Sequence, residues 1–300
     1  MMKPQEIKNW RGVLNNAERL DLLSKGINPD GGKPAKIDGV WAIPNDLYHS
    51  GPGISKSGLD LVERAPRIYC DTVCGRIPRK QSEAMNLGSA VHALVLEPSE
   101  VGVAMIAVAP DVDRRTKDGK AAYAEFLASS AGKIVLSPDE YARACGMAQA
   151  VHEHPIAGQL FSDGIAELSF FYTMPGRQIV KCRPDYVRPG FGGKFRLVDL
   201  KTTSCARAKE FRYSCIDFRY DVQAAFYSDL VREVTGTEIT DFTFVAVEKE
   251  APYLVACYKI EAAAIVRARE AYRRNLLTLR DCIASDIWLG YPTAVQTISL

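Results

Sequence analysis

The chain has 300 residues, of which 47% are hydrophobic and 25% charged, as is ordinary for a soluble globular protein. No apolar run approaches the length of a membrane span, and the first ten residues lack the apolar core of a secretory signal, which predicts a cytoplasmic protein without membrane contact. The formal net charge of +2 is too small to indicate a nucleic-acid partner, so any DNA-binding surface must come from local clusters.

Three clusters of basic side chains are candidates for such a surface, although clusters of this kind more often form solvated helix faces and loops. They comprise Arg114, Arg115, Lys117 and Lys120; Arg207, Lys209 and Arg212; and Arg267, Arg269, Arg273 and Arg274. The eight cysteines include no Cys-x-x-Cys pair. Because no export signal precedes them, we interpret them as reduced thiols that are mostly buried.

The first predicted element is an amphipathic helix at residues 5–24, followed by a stretch rich in Gly and Pro at residues 28–36. We therefore assign residues 1–40 to a helical N-terminal extension and residues 41–300 to a single domain. Apolar residues at helical spacing predict further helices at residues 57–69, 86–96, 119–128 and 138–152. The helix at 57–69 is expected to end soon after Pro66, where the backbone donor is lost.

From residue 165 the pattern alternates with period two, which predicts strands. One strand spans residues 165–174, a Pro-Gly turn follows, and residues 178–187 form the partner strand. A Gly-rich link leads to a third strand at residues 195–201. The remaining elements are a helix at 219–234, strands at 239–247 and 253–260, and a long helix with a basic face at 261–284.

The most informative pattern is Pro-Asp185 followed, after thirteen residues, by Asp199-Leu-Lys201. Alternate residues of a strand share a face, so Asp199 and Lys201 point the same way, and a hairpin brings Asp185 beside them. Two carboxylates next to an ammonium group suit metal-assisted phosphodiester cleavage, because they supply oxygen ligands for Mg²⁺ and a cation near the attacking water. Alone, an Asp-x-Lys triplet more commonly marks a solvated strand end with a surface ion pair.

Two pairs of residues on predicted helices are further candidates. His92 follows Gly88 by one helical turn in an apolar helix, where it is either a hydrogen-bonded core histidine or a metal ligand. Gly88 then permits a close approach of backbone or substrate. Gln223 and Tyr227 also lie one turn apart. They are either polar residues whose hydrogen bonds are satisfied in the core, or they orient a phosphate or a catalytic carboxylate.

Two shorter signals remain open. Glu167 lies on the strand face opposite Phe170, where it is either an exposed strand residue or a further metal ligand. Ser57 fits a helix N-cap, and the segment Ser55-Lys56-Ser57 also suits a bound phosphate.

Taken in chain order, these elements resemble the PD-(D/E)xK nuclease superfamily in its RecB-like branch. That branch carries Gly-x-x-x-His on a helix, an acidic residue, Asp, Asp/Glu-x-Lys and Gln-x-x-x-Tyr. The matching positions are Gly88 and His92, Glu167, Asp185, Asp199 and Lys201, and Gln223 and Tyr227. Four segments, YHSGPGISKSGLDLVERAPRIYC, MNLGSAVHALVLEP, DRRTKDGKAAYAEF and DVQAAFYSDL, further resemble the exodeoxyribonuclease VIII (RecE) group and its phage relatives.

The resemblance implies an α/β fold with a PD-(D/E)xK core, namely a central mixed sheet in αβββαβ order with added helices. It implies Mg²⁺-dependent digestion of linear double-stranded DNA from 5′ to 3′ into mononucleotides, with Mn²⁺ as a substitute ion. The remaining 3′ strand would serve recombination through a single-strand annealing protein. The implied partners are duplex DNA ends and further copies of the chain in a ring-like homo-oligomer, a trimer or tetramer, within a bacterial host.

The same resemblance assigns roles to the site residues. Asp185, Asp199 and the Leu200 carbonyl bind one Mg²⁺, while His92, with Glu167, helps to bind a second ion or positions its water. Lys201 orients or deprotonates the attacking water, and Gln223 and Tyr227 complete the catalytic set. Candidate contacts to the 5′ phosphate or the DNA backbone are Ser55, Lys56, Ser57, Arg114 and Arg115.

Two departures from the family pattern matter. Asp199 stands where Glu is commoner, so its shorter side chain must approach the metal more closely. Only Cys257 and Cys282 follow the Gln223 helix, so we expect no iron–sulfur cluster of the kind that some RecB-like proteins hold. The alternatives are a structure- or sequence-directed endonuclease of the same fold and a catalytically inert DNA-binding module.

Overall fold

The computed structural model describes residues 38–77, 83–97, 103–176 and 178–297. The helices are α1 Asn45–Ser50, α2 Lys56–Arg64, α3 Pro66–Val73, α4 Glu83–Leu96, α5 Lys117–Ser129, α6 Pro138–Glu153, α7 Ala157–Leu160, α8 Ala208–Asp217, α9 Tyr220–Thr235 and α10 Ala262–Ser285. The strands are β1 Gly39–Trp41, β2 Ile106–Val108, β3 Ile134–Leu136, β4 Ile165–Ala166, β5 Ser169–Thr173, β6 Ile179–Cys182, β7 Tyr186–Pro189, β8 Phe195–Thr203, β9 Ile239–Glu248 and β10 Val255–Tyr258. The helix predicted at residues 5–24 lies outside the described residues, and the division at residue 40 stays a prediction.

A five-stranded mixed sheet in the order β10-β9-β8-β7-β4 forms the centre of the fold. Within this sheet, β8 and β9 are the neighbours that run parallel. The chain crosses between them through α8 and α9, as parallel neighbours require. A second sheet has the order β1-β5-β6, and β2 and β3 form a separate parallel pair. The core order α4, three strand segments, α9 and β9 agrees with the predicted αβββαβ arrangement, with α5–α7 inserted after α4.

Strand β8 is buried on both faces because helices cover both sides of the central sheet. Leu197 packs into the cluster formed with α2, α9 and α10, whereas Val198 and Leu200 pack into the cluster formed with α4 and α6. All three side chains have no solvent exposure. Alternate residues of one strand therefore serve two cores, and Asp199 falls on the Leu197 side, facing α9.

The prediction of two continuous strands at residues 165–174 and 178–187 is wrong, because each segment is broken into two strands. The two breaks lie opposite each other. Residues 165–174 divide into β4, which pairs with β7, and β5, which pairs with β1 and β6. The break falls at Glu167, whose φ of 55° is left-handed. The partner segment breaks at residues 183–185, where Pro184 has no N–H to give to a ladder. The hairpin β5-β6 thus leaves the central sheet and joins a second one.

The helix predicted at residues 57–69 is two helices. Ala65 adopts an extended conformation, with φ −172° and ψ 133°, because a residue that precedes proline avoids the helical region. Pro66 then opens α3 at its first position, where a missing N–H costs nothing. The N-cap of α2 is Ser55 rather than Ser57. The short elements α1, α7, β1, β2 and β3, and the helix α8, carry too few periodic residues to have been predicted.

The expectation that the cysteines are mostly buried is also wrong. All eight are free, but only Cys182 and Cys282 are buried, and Cys74 is exposed. Within the described ranges, no helix combines the length and the apolar character needed to cross a membrane.

Because β8 lies at the centre of the fold, shortening one of its buried side chains is expected to lower the free energy of unfolding substantially. We expect Leu197→Ala to lower the free energy of unfolding by about 2–5 kcal/mol, because it leaves a cavity in the core. The matched control is Leu254→Ala, since Leu254 is 56% exposed and should change stability by only about 0.5 kcal/mol or less. Denaturant unfolding of both variants measures the difference, and equal midpoints would contradict the layered core.

Candidate active site

The candidate site lies where the two sheets separate, and the hairpin β7-β8 assembles it. Tyr186 pairs with Val198, so Asp185, one residue before β7, stands opposite Asp199. The Leu200 N–H donates to Asp185 Oδ2 at 2.6 Å. The structure therefore brings together the two carboxylates that the sequence pattern predicts to be neighbours.

The Asp199 carboxylate is buried, with 1% exposure, and has polar groups on both sides. Its Oδ1 is ion-paired with Lys201, and its Oδ2 accepts a hydrogen bond from the Gln223 amide on α9. Within the described residues, Oδ1 accepts no hydrogen bond of good geometry. Among the described residues the Lys201 ammonium is thus the group that balances this oxygen, and a carboxylate oxygen is also a suitable ligand for a divalent cation.

Lys201 carries its charge in this arrangement. Burial by itself would lower the pKa of Lys201, but Asp199 and Asp185 outweigh that effect and the pKa is raised. The ammonium also lies 4.8 Å from the centroid of the Tyr220 ring, within cation–π range. A lysine held protonated suits charge stabilisation and orientation of water better than removal of a proton.

His92, Glu167 and Asp185 converge on one point, with ligand atoms that all lie within 4.8 Å of one another. His92 Nδ1 is 3.5 Å from Asp185 Oδ2, and the ring also hydrogen-bonds to the Leu200 backbone. Burial and the nearby Lys201 lower the pKa of His92, which favours the neutral imidazole that binds metals. The fit to a divalent cation is therefore good.

Asp185 shows the electrostatic cost of this arrangement. Burial and the negative charge of Asp199 raise the pKa of Asp185 well above its ordinary value. A bound cation would oppose both effects, because it favours the ionised carboxylate. The Leu200 peptide touches both Asp185 and His92 through its backbone, but the assignment of its carbonyl as a ligand stays a prediction.

Arg183 holds Glu167 in place, and the sequence gives little sign of this role. Its Nη1 lies 3.3 Å from Glu167 Oε2, and the same guanidinium donates to Ser169 Oγ at 2.8 Å and to the Ile43 carbonyl at 2.9 Å. Burial lowers the pKa of Arg183, while Glu167 opposes that shift. The Glu167 N–H in turn donates to the Asp185 carbonyl at 3.0 Å. An arginine directly before Pro-Asp in an apolar segment was the only available signal.

The helix α9 places Gln223 and Tyr227 on the same side of the site. Gln223 contacts Asp199 directly, which matches the predicted role of orienting a carboxylate. Burial raises the pKa of the Tyr227 phenol well above its ordinary value, with smaller contributions from Tyr48 and other groups that include Asp199. Gly88 is not required by packing, since a Cβ there would lie 3.6 Å from its nearest neighbour, an ordinary contact.

The predicted DNA contacts divide into two groups. Lys56 lines a cavity together with Lys201 and Gln223, so it lies beside the site. The hydroxyls of Ser55 and Ser57 are 2.9 Å apart, and neither caps α2 with its side chain.

Arg114 and Arg115 are engaged elsewhere. The Arg114 guanidinium lies over the Tyr123 ring, and Arg115 pairs with Asp113 on a loop before α5. The described contacts of these two arginines do not include a site residue, so their contact with DNA stays a prediction.

Comparison with known proteins is consistent with this geometry. A crystal structure of a "putative exonuclease" from Eubacterium rectale shares the fold, with a TM-score of 0.54, 15% identity, and coverage of 84% of this chain and 96% of that one. A second structure, SSO0001, covers 68% of this chain and 82% of its own with 13% identity, but its TM-score of 0.26 is too low to support an argument. Among curated proteins, no sequence matches this chain significantly.

The family comparison covers most of the chain. Residues 55–297 match the family described as "PDDEXK-like domain of unknown function (DUF3799)". This range contains every residue of the predicted metal and catalytic sets. The chain therefore belongs to this PDDEXK-like family, and its Pro-Asp185 and Asp199-Leu-Lys201 stand in the pattern of the PD-(D/E)xK nuclease fold.

Proposed function

We propose that the protein is a Mg²⁺-dependent exodeoxyribonuclease that degrades linear double-stranded DNA from its ends. The observation that carries this proposal is the convergence of His92, Glu167 and Asp185 on one point beside the Asp199–Lys201 pair. Family membership supports a nuclease, and the exonuclease description of the Eubacterium rectale protein supports the choice of an end-directed enzyme.

The chain's own residues would divide the work among them. Asp185, Glu167 and His92 would hold a divalent cation, with Oδ1 of Asp199, which is ion-paired with Lys201, as a further ligand, and the oxygen-rich set favours Mg²⁺ or Mn²⁺. When bound, such an ion supplies positive charge that polarises a phosphoryl oxygen and makes water more acidic. Lys201 would stabilise the charge that accumulates on the phosphate during attack.

The finer parts of the proposal rest on the resemblance to the RecE group. They are digestion from 5′ to 3′, release of mononucleotides, and a 3′ single strand that passes to an annealing protein in recombination. They also include a ring-like homo-oligomer and a cytoplasmic location in a bacterial or phage-infected cell.

Linear duplex DNA labelled at either the 5′ or the 3′ end tests the activity and its direction. With Mg²⁺, we expect early release of labelled mononucleotides from the 5′ end, slow release from the 3′ end, no cutting of closed circles, and no activity in EDTA. Asp185→Asn should slow release by at least about 100-fold, because it removes a carboxylate of the proposed metal site and so weakens the hold on the positive charge that would stabilise the reacting phosphate.

The control for this experiment is Asp281→Asn, which removes an exposed carboxylate whose ion pair within the described residues is with its neighbour Arg280. It should digest DNA as the wild type does. Cutting of circular DNA would favour the endonuclease alternative, and an absence of hydrolysis with both Mg²⁺ and Mn²⁺ would reject the proposal.

Metal binding can be measured separately from catalysis. We expect Glu167→Gln to weaken Mn²⁺ binding by about 10-fold or more in calorimetric titration, because a carboxylate that contacts the ion becomes a neutral amide. Glu125→Gln is the matched control, since Glu125 is exposed on α5 and should leave affinity unchanged. Equal affinities for the two variants would remove Glu167 from the ligand set.

The raised pKa of Asp185 predicts how stability depends on pH in EDTA. Below about pH 3.9 the carboxyl is protonated in both states and contributes no penalty. As the pH rises, the unfolded chain ionises first, so the native state loses stability until Asp185 ionises there too. We therefore expect Asp185→Asn to melt higher than the wild type near pH 8, by roughly 2–4 °C for each kcal/mol gained. The difference should vanish near pH 3.5, and a lower melting temperature at pH 8 would contradict the assignment.

A further inference from the structure

We propose that Phe218 is a stacking platform for an unpaired base of the DNA strand that enters the candidate active site. The inference deepens the proposed function and rests on it, because it concerns how the strand end reaches the carboxylates. It also concerns the form of the substrate, since the bases inside a duplex are covered by their neighbours on both faces and an unpaired base is free to stack on a side chain.

Phe218 is the outermost ring of an aromatic column. Phe244 is fully buried in the core, and the Tyr220 ring stacks on it with centroids 5.4 Å apart and an interplanar angle of 23°. The Phe218 ring stacks on Tyr220 at 5.7 Å and 22°, yet it is 60% exposed. A base stacked on Phe218 would continue the column by one member, as in proteins that bind single strands on aromatic side chains.

The column stands beside the groups proposed to carry out hydrolysis. The Lys201 ammonium lies 4.8 Å from the centroid of Tyr220, the middle ring. Phe218, Lys201 and Gln223 line one cavity of about 540 Å³, which is within the size range of ligand clefts. Gln223 also contacts Asp199, so a strand stacked at Phe218 would have its phosphate next to the site.

The backbone between the two outer rings is strained and firmly held. Arg219 has φ 51° and ψ 50°, a left-handed conformation that costs a non-glycine residue about 1–3 kcal/mol. Its guanidinium donates to Asp60 Oδ1 at 3.1 Å and to the side-chain oxygen of Asn275, Oδ1, at 2.9 Å, and these contacts fix the turn. The turn sets Phe218 and Tyr220, two residues apart, face to face. Strain kept at this position indicates that the placement of the Phe218 ring matters.

The surface next to Phe218 suits a single strand better than an apolar protein partner. The exposed side of α8 carries Tyr213, which is 53% exposed, together with the exposed cations Lys209 and Arg212. Aromatic rings interleaved with cations can bind bases and phosphates in turn, whereas an apolar partner would leave the cations desolvated. α8 contacts the column through Phe211, whose ring centroid lies 5.9 Å from that of Tyr220, so the helix that carries these cations adjoins the column.

Fluorescence anisotropy with the full-length protein in EDTA tests this proposal without hydrolysis. The probes are a labelled oligothymidylate and an abasic deoxyribose-phosphate strand of the same length. Phe218→Ala should weaken oligothymidylate binding by roughly 5- to 150-fold, the range for loss of one stacked base, and should leave abasic binding unchanged. Phe218→Trp should restore binding of the thymidylate.

Phe191→Ala is the matched control, because Phe191 is also an exposed phenylalanine, with 90% of its surface accessible. It follows the C-terminal end of β7, whereas Asp185 precedes the N-terminal end. It should bind both probes as the wild type does. Equal affinities of Phe218→Ala and Phe191→Ala for oligothymidylate would overturn the platform, as would equal losses for both probes. If linear DNA is not hydrolysed but the base-dependent loss persists, the nuclease proposal fails and the platform stands.

Discussion

Two carboxylates held side by side in a buried position are the constraint on which the candidate site depends. Asp185 and Asp199 face each other across the hairpin, and burial together with the negative charge of Asp199 makes Asp185 costly to ionise and raises its pKa. The protein offsets part of this cost with Lys201, which is ion-paired with one oxygen of Asp199, and with the Gln223 amide, which donates to the other. Two neighbouring buried carboxylates are unfavourable in a core without a metal ion, but a bound divalent cation would stabilise both.

The separation of the two sheets places Glu167 beside Asp185 and His92. β4 pairs with β7, and β5 with β6, in one continuous register, but both strands break together between the two pairings. The Glu167 N–H continues the β4-β7 pairing by one bond, to the Asp185 carbonyl, and the regular ladder stops there. Arg183, buried at the same break, pairs with Glu167 and turns its carboxylate inward. The break in regular structure and the ligand cluster are therefore one feature.

The sequence predicted the parts of the site that depend on local periodicity. Alternation along β8 placed Asp199 and Lys201 on one face. For Gln223 the sequence offered only a general role, orienting a phosphate or a carboxylate, and its contact with Asp199 is seen in the structure alone. Alternation also continued smoothly through Glu167, so the left-handed break there could not be read from periodicity. Pro184 was a visible warning inside the partner strand. The role of Arg183 depends on a contact between two breaks that come together only in three dimensions, and no local pattern encodes it.

The candidate metal ligands and the aromatic column share one backbone feature, a non-glycine residue in the left-handed conformation. Five such residues occur in the described part of the chain, and two of them, Glu167 and Arg219, border the site. Each has a buried or half-buried polar network that holds it: Arg183 for Glu167, and Asp60 with Asn275 for Arg219. Such conformations persist only where surrounding contacts over-determine them. The networks lie on different elements, but Lys201 lies 4.8 Å from the centroid of the Tyr220 ring, so the Asp199–Lys201 pair and the aromatic column are in contact and a change in one is expected to affect the other.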